Sequence, residues 1–226
     1  MRKYGFLKHS LVDYPGEICS VVFMPGCNFH CKYCYNRNLA QTVQTNGFLL
    51  SEIMQYLRDA SKRFITAVCI TGGEPSLSPE TLNYLIDLFK GLGLKVKVDS
   101  NGSHPEQMAL WDVDYIAMDL KTSPERYVEL TPMKDIESRI LESMQILLKK
   151  PVTHYEFRTT LSRDFVDNAT LEKIGGMLTP ETYWYLQPCR DPNRPNDRVR
   201  TIQENTWIQD ALSVAQKYSK NVFLRA

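Results

Sequence analysis

The sequence predicts an α/β fold, a partial (β/α)6 open TIM-like barrel with a short N-terminal hairpin, on three observations. Strand-like and helix-like segments alternate from residue 18 onward, the pattern of a parallel sheet with right-handed crossovers. The first core segment, Ile18 to Met24, is a short, β-branched-rich apolar run, as expected of a parallel strand buried on both faces. The chain has 226 residues, fewer than the roughly 250 of a full (β/α)8 barrel. A single domain over residues 1–226 is the simpler reading, and an open side would admit a macromolecular substrate.

The elements follow in order. Residues 1–17 end in Asp13-Tyr14-Pro15-Gly16, a turn signature that closes a short hairpin ahead of the first core strand, Ile18 to Met24. Ser51 is placed to cap a helix reaching Lys62, and Ile65 to Thr71 is a strand. Ser78-Pro79 opens a helix to Lys90 that Gly91 and Gly93 stop. Leu94 to Val98 is a strand, Pro105 to Trp111 a short helix and Tyr115 to Leu120 a strand. Ile136 to Lys150 is a helix with Ile140, Met144, Leu147 and Leu148 on one face. Tyr155 to Leu161 is a strand, Asn168 to Leu178 a helix and Thr182 to Leu186 a strand. A helix from Glu204 to Tyr218 precedes a short strand, Val222 to Leu224.

Distinctive residues cluster at the ends of six core strands. Cys27, Cys31 and Cys34 follow the first, Gly72-Gly73-Glu74-Pro75 the second and Asp99-Ser100-Asn101-Gly102 the third. Asp119 and Lys121 end the fourth, Arg158 lies in the fifth and Gln187 follows the sixth. The C-terminal ends of parallel strands are where such folds build sites.

Composition narrows the classes. The net charge of +1 supplies no field that recommends nucleic acid or an anionic membrane as partner. Asp13, Pro15 and Glu17 interrupt any secretion-signal apolar core between Met1 and Cys27, and no run approaches the roughly 20 apolar residues of a bilayer span. Six cysteines, three of them in one metal-spaced group, fit a reducing cytoplasm better than a disulfide framework.

The three grouped cysteines are spaced CxxxCxxC. Structural zinc takes four ligands in separated pairs, and no second pair follows. Three thiolates on one tight loop suit a 4Fe-4S cluster whose fourth iron takes a non-protein ligand; His30, inside the same loop, is the alternative fourth ligand. Gly72 and Gly73 allow close backbone approach of a ligand, and Glu74 can accept from an ammonium; an ordinary strand-to-helix turn is the bland alternative. Asp99 and Asp119 would repel unless a cation, a lysine or hydrogen-bond donors stood between them. Cys19 and Cys69 read as core thiols, whereas Cys189 has no definite role.

These motifs resemble known ones. CxxxCxxC with Tyr33 before its last cysteine resembles the radical S-adenosylmethionine (SAM) superfamily, and Thr71-Gly72-Gly73-Glu74-Pro75 resembles its GGEP element. The longer matches Cys31-Lys32-Tyr33-Cys34-Tyr35-Asn36-Arg37, Asp99-Ser100-Asn101-Gly102 and Met118-Asp119-Leu120-Lys121 resemble activating enzymes of glycyl radical enzymes. They look like the activators of pyruvate formate-lyase and, for Ser10-Leu11-Val12-Asp13-Tyr14-Pro15-Gly16, of anaerobic ribonucleotide reductase. The resemblance runs from about Leu11 to Thr160.

It implies a radical SAM barrel in which SAM chelates the open iron and is cleaved to methionine and a 5′-deoxyadenosyl radical. It further implies that Gly72, Gly73, Glu74 and Pro75 contact the methionyl amino group. Asp99, Ser100 and Asp119 would bind a monovalent cation, Na+ or K+, near the sulfonium. Asn101 belongs to the same cofactor-binding loop. Lys121 faces SAM or the partner, or pairs with Asp119. Tyr33 packs on the adenine or shields the cluster. Asn36 bonds near the cluster or caps its turn. Arg158 meets SAM or pairs with an interior acid, and Gln187 is a sixth-strand contact. The sequence departs from the pyruvate formate-lyase activator where that family has a histidine and this chain has Arg190, which opens an arginine-rich loop to Arg200 suited to docking or to solvent. With no second cysteine group, auxiliary-cluster relatives are set aside. The implied partner is a glycyl radical enzyme, anaerobic ribonucleotide reductase favoured, with flavodoxin or ferredoxin as electron donor. A radical enzyme for a pterin- or purine-like small molecule is the rival, and a plain iron-sulfur electron carrier the third reading.

Overall fold

Val21, Val22, Val68, Ile70, Val96 and Val98 lie in strands with no solvent exposure, and the helices Leu50–Ala60, Pro79–Lys90 and Ile136–Leu148 each bury one apolar face. The computed structural model describes residues 3–41, 47–189 and 206–225. The chain forms two compact units, one of residues 1–28, 36–100 and 106–116, the other of 29–35, 101–105 and 117–226.

The first unit holds β1 (Lys3–Ser10), β2 (Cys19–Met24), α1 (Arg37–Gln41), β3 (Phe48–Leu49), α2 (Leu50–Ala60), β4 (Ala67–Gly72), α3 (Pro79–Lys90) and β5 (Lys95–Ser100). Its strands lie in the order β3-β1-β2-β4-β5. β2, β4 and β5 are parallel, with Cys19 opposite Ala67 and Met24 opposite Gly72. The Asp13–Gly16 turn folds β1 antiparallel onto β2, so the first core strand is itself the second arm of the expected hairpin. Gly16 supplies the positive φ of 77° there. α1 and β3 are too short to register as a periodicity, and the sequence reading has no counterpart for them.

α2 buries Ile53, Met54, Leu57 and Ala60, each large aliphatic contributing about 1.5–3 kcal/mol on burial. Its N-terminus is secured by Glu52, which accepts the Leu49 N–H at 2.6 Å, rather than by Ser51. α3 starts at Pro79 and stops at Gly91 and Gly93, as the glycines predict. Tyr14, Cys19, Val21, Ala67, Cys69 and Tyr115 form a core cluster with Phe23 against it, so Cys19 and Cys69 are core thiols.

After α4 (Pro105–Met108), β6 (Tyr115–Asp119) begins in the first unit and ends in the second. The second unit continues with α5 (Ile136–Leu148), β7 (Tyr155–Leu161), α6 (Asn168–Gly175), β8 (Tyr183–Pro188), α7 (Thr206–Ala215) and β9 (Asn221–Leu224). β7, β8 and β9 are parallel neighbours. Asp167 caps α6 by accepting the Thr170 N–H at 2.7 Å, and Gly175 and Gly176 end that helix before the expected Leu178. Trp184, fully buried, donates its indole N–H to Thr159 Oγ1 at 3.0 Å. A 3-10 turn over Pro124–Glu129, absent from the sequence reading, buries Tyr127. No helix among the described residues is long and apolar enough to cross a membrane.

Candidate functional site

In the first unit the site is built on the register of β2 against β4. Gly73 N–H donates to Met24 O at 2.8 Å, and Glu74 N–H to Gly26 O at 2.7 Å. A Cβ on Gly73 would lie 1.8 Å from Gly26 O, and one on Gly72 would lie 2.5 Å from Met24 N. Gly72 also has a φ of 119°. The group that approaches these glycines is thus the chain's own backbone at Met24–Gly26, immediately before Cys27, and not only the ligand that the sequence suggested. Asn36 Nδ2 donates to Gly72 O over a long 3.4 Å.

Glu74 is buried at the head of the Pro75–Leu77 turn, where its Oε1 accepts the Ser76 N–H at 3.0 Å and the Ser100 hydroxyl at 2.9 Å. Sequence reasoning missed Lys97, which has no solvent exposure. Its ammonium lies 2.8 Å from Asp99 Oδ1 and donates to Asp13 O at 2.6 Å. The signal was present: in Lys95-Val96-Lys97-Val98-Asp99 the two-residue strand repeat puts Lys97 and Asp99 on one face.

In the second unit, the loop carrying Cys31 and Cys34 is turned by Cys34 N–H donating to Cys31 O at 3.2 Å, and anchored by His30 N–H donating to Leu130 O at 2.8 Å. Phe29 meets Tyr127 edge-on and Tyr33 meets Phe165 edge-on. The Tyr33 hydroxyl is buried with no hydrogen-bond partner among the described residues. Burial pushes the Tyr33 phenol and the Cys31 thiol up, with Lys121 pulling both back.

Asp119 takes Arg158 Nε at 2.8 Å on one oxygen and Lys121 Nζ at 3.1 Å on the other. Burial works to lower the pKa of Lys121, but Asp119 and then Tyr33 and Cys31 outweigh it and hold the ammonium well above its usual range. The Lys121 N–H donates to Tyr127 Oη at 3.0 Å, and Leu120 N–H to Arg158 O at 2.7 Å, which fixes β6 against β7. Of the alternatives open in the sequence, Lys121 and Arg158 therefore both have Asp119 as partner. Asn101 Oδ1 accepts the Ser103 N–H at 2.9 Å, closing its own loop. Gln187 is half-buried on β8 opposite Thr160, and Cys189 N–H donates to Leu161 O at 3.2 Å. Arg190 and the loop to Arg200 lie outside the described residues.

Cys27, Cys31 and Cys34 form no disulfide among the described residues, Cys31 being buried and the other two half-buried. Three such thiols on one short loop are the donor chemistry of a site-differentiated iron-sulfur cluster. Among the described residues no three His, Cys, Asp or Glu side chains stand together as a ready ion site, so the ligand set rests on spacing and on family. A monovalent cation fits less well. The Asp99 carboxylate already faces the Lys97 ammonium at 2.8 Å, and a further cation on that carboxylate would be repelled by it.

Fold and motifs define a class, and comparison bears it out: residues 21–173 match the radical SAM superfamily, and the chain belongs to it. The family implies a 4Fe-4S cluster and SAM. A Methanocaldococcus jannaschii protein provisionally named a glycyl-radical enzyme activating enzyme is 28% identical, over 98% of this chain and 94% of its own. The 7-carboxy-7-deazaguanine synthase of Bacteroides thetaiotaomicron is 30% identical, over 84% of this chain and 82% of its own. Among solved structures, QueE from Escherichia coli superposes with a TM-score of 0.57 at 16% identity, covering 100% of this chain and 95% of the other. That likeness concerns the fold and agrees with the barrel class expected from the sequence.

Proposed function

We propose that the whole chain acts as one radical SAM domain that installs a glycyl radical on a partner enzyme, anaerobic ribonucleotide reductase being the favoured partner. The observation that carries this is the Gly72–Glu74 turn, whose backbone holds Met24–Gly26 in place directly before Cys27. With it go the Asp99-Ser100-Asn101-Gly102 and Met118-Asp119-Leu120-Lys121 segments and the near full-length similarity to an activating enzyme.

Cys27, Cys31 and Cys34 would hold the cluster, and cluster and SAM together would supply the one-electron chemistry able to remove the α-hydrogen of a glycine on the partner. The chain's own residues prepare the setting. Gly72, Gly73, Pro75 and the buried Glu74 receive the methionyl end. Tyr33, packed edge-on against Phe165, would shield the cluster or pack on the adenine. Asp119, held by Arg158 and Lys121, presents a fixed polar strand end, with Asn36, Ser100, Asn101 and Gln187 as further contacts. Flavodoxin or ferredoxin is the proposed electron donor and the cytoplasm the proposed compartment.

Electron paramagnetic resonance on the anaerobically reconstituted, reduced protein mixed with SAM and the reductase tests this, with Cys34→Ala as control. The expected result is a glycine-centred signal that requires both SAM and intact Cys34. SAM cleavage with no protein radical would remove the reductase as partner. The similarity to a deazaguanine synthase favours the second reading, a pterin- or purine-like small-molecule substrate, which that outcome would bring forward.

A further inference from the structure

Asp99 is one of the two carboxylates that the family resemblance assigns to a monovalent cation, and in this chain it already has a cation of its own. Lys97 and Asp99 share a face of β5, with the ammonium 2.8 Å from Asp99 Oδ1. The lysine side chain has no solvent exposure, so it cannot swing out to water. The Lys97–Asp99 contact is an ion pair, and a hydrogen bond donated by the ammonium to Asp13 O at 2.6 Å fixes the head group. That carbonyl is itself held, because the Ser10 hydroxyl donates to Asp13 Oδ2 at 2.5 Å and accepts the N–H groups of Val12 and Asp13 at 3.2 and 3.3 Å.

We propose that Lys97 is a built-in counter-ion that takes the place of an alkali cation at Asp99, so that SAM binding by this chain does not depend on Na+ or K+. The proposal rests on the SAM-site reading above. A lysine ammonium supplies the same unit charge as an alkali ion but cannot dissociate. The Ser10–Gly16 turn and the alternating Lys95–Asp99 strand then have one joint purpose, to bury that charge beside Asp99.

The test uses the full chain. SAM affinity of the anaerobically reconstituted protein is measured in tetramethylammonium, sodium and potassium chloride at equal ionic strength. The 23Na line width is read separately on protein without SAM. The wild type is expected to bind SAM within about twofold in all three salts and to leave the sodium line sharp. Lys97→Met is expected to bind SAM at least tenfold more weakly in tetramethylammonium, to recover with Na+ or K+, and to broaden the sodium line. Lys97→Arg, which keeps the charge and serves if the methionine variant does not fold, is expected to stay indifferent to the salt. A wild type that gains tenfold from Na+ or K+, a wild-type sodium signal that Asp99→Asn abolishes, or a Lys97→Met defect that no alkali ion restores would each overturn the proposal. If the wild type binds no SAM in any salt, the SAM-site reading falls, and the sodium line alone decides the counter-ion.

Discussion

Asp99 in the first unit and Asp119 in the second are both strand-end aspartates with a cation 2.8 Å away, but they are solvated differently. The Asp99 side chain is 9% exposed and its Lys97 partner 0%, whereas Asp119 is 27% exposed and divided between Arg158 at 12% and Lys121 at 15%. The first is a buried ion pair with almost no access to water. The second is a partly hydrated network that keeps one cation when the other is lost. Removing half of a sealed pair strands a buried charge, while the same change in the network leaves both water and a second partner.

The comparison can be broken most severely at Lys97. Lys97→Met is expected to cost about 3–5 kcal/mol in denaturant unfolding, and the double variant Lys97→Met/Asp99→Asn to recover much of that. Arg158→Met is expected to cost less, about 1–2 kcal/mol, because Lys121 still serves Asp119. An equal loss in the two would erase the distinction between the units.

Thiol labelling sharpens the same contrast between sealed and accessible groups. Burial pushes the Cys19 thiol up to about 12 and Cys69 well above its usual value, so both stay protonated at pH 8. Iodoacetamide is expected to modify the half-buried Cys27 and Cys34 of the cluster-free protein within minutes and to leave Cys19 and Cys69 unmodified until the protein unfolds, as read by mass spectrometry.

The smallest effect is expected at the rim, where Lys95 and Glu17 pair at 2.6 Å. Burial alone would raise the Glu17 carboxyl, but hydrogen bonds from Lys95 and Thr66 outweigh it and hold the pKa below the usual value. The folded state therefore favours the carboxylate. The contribution is fully present above the ordinary carboxylate range and is lost as pH falls through the lowered folded value. With Lys95 largely in water, Lys95→Met is expected to cost under about 1 kcal/mol at pH 7, shrinking further on acidification, in parallel unfolding curves.

Much of this was legible before any coordinates. The apolar run from Ile18 to Met24 named the first core strand, proline and glycine marked the ends of α3, and the CxxxCxxC and Gly72–Pro75 segments pointed to the superfamily. Other features carried no local signal. β3 and α1 are shorter than the window in which a period can be seen. The Glu52 cap and the burial of Tyr127 depend on where a side chain reaches once the backbone is placed. That Met24–Gly26 packs against Gly72 and Gly73 at the end of β4 was likewise not visible in the sequence.

What the sequence determined by itself is the order of elements, the parallel α/β class and the residue types available for chemistry, since these follow from periodicity, turn propensity and ligand spacing along the chain. The tertiary structure decided the pairings: Lys97 with Asp99 and the Asp13 carbonyl, Arg158 and Lys121 with Asp119, Ser100 with Glu74. The reason is physical. A charge or a polar group has no preferred partner in an extended chain surrounded by water. It acquires one only when packing removes the water and leaves a few ångströms within which each donor and acceptor has to be satisfied.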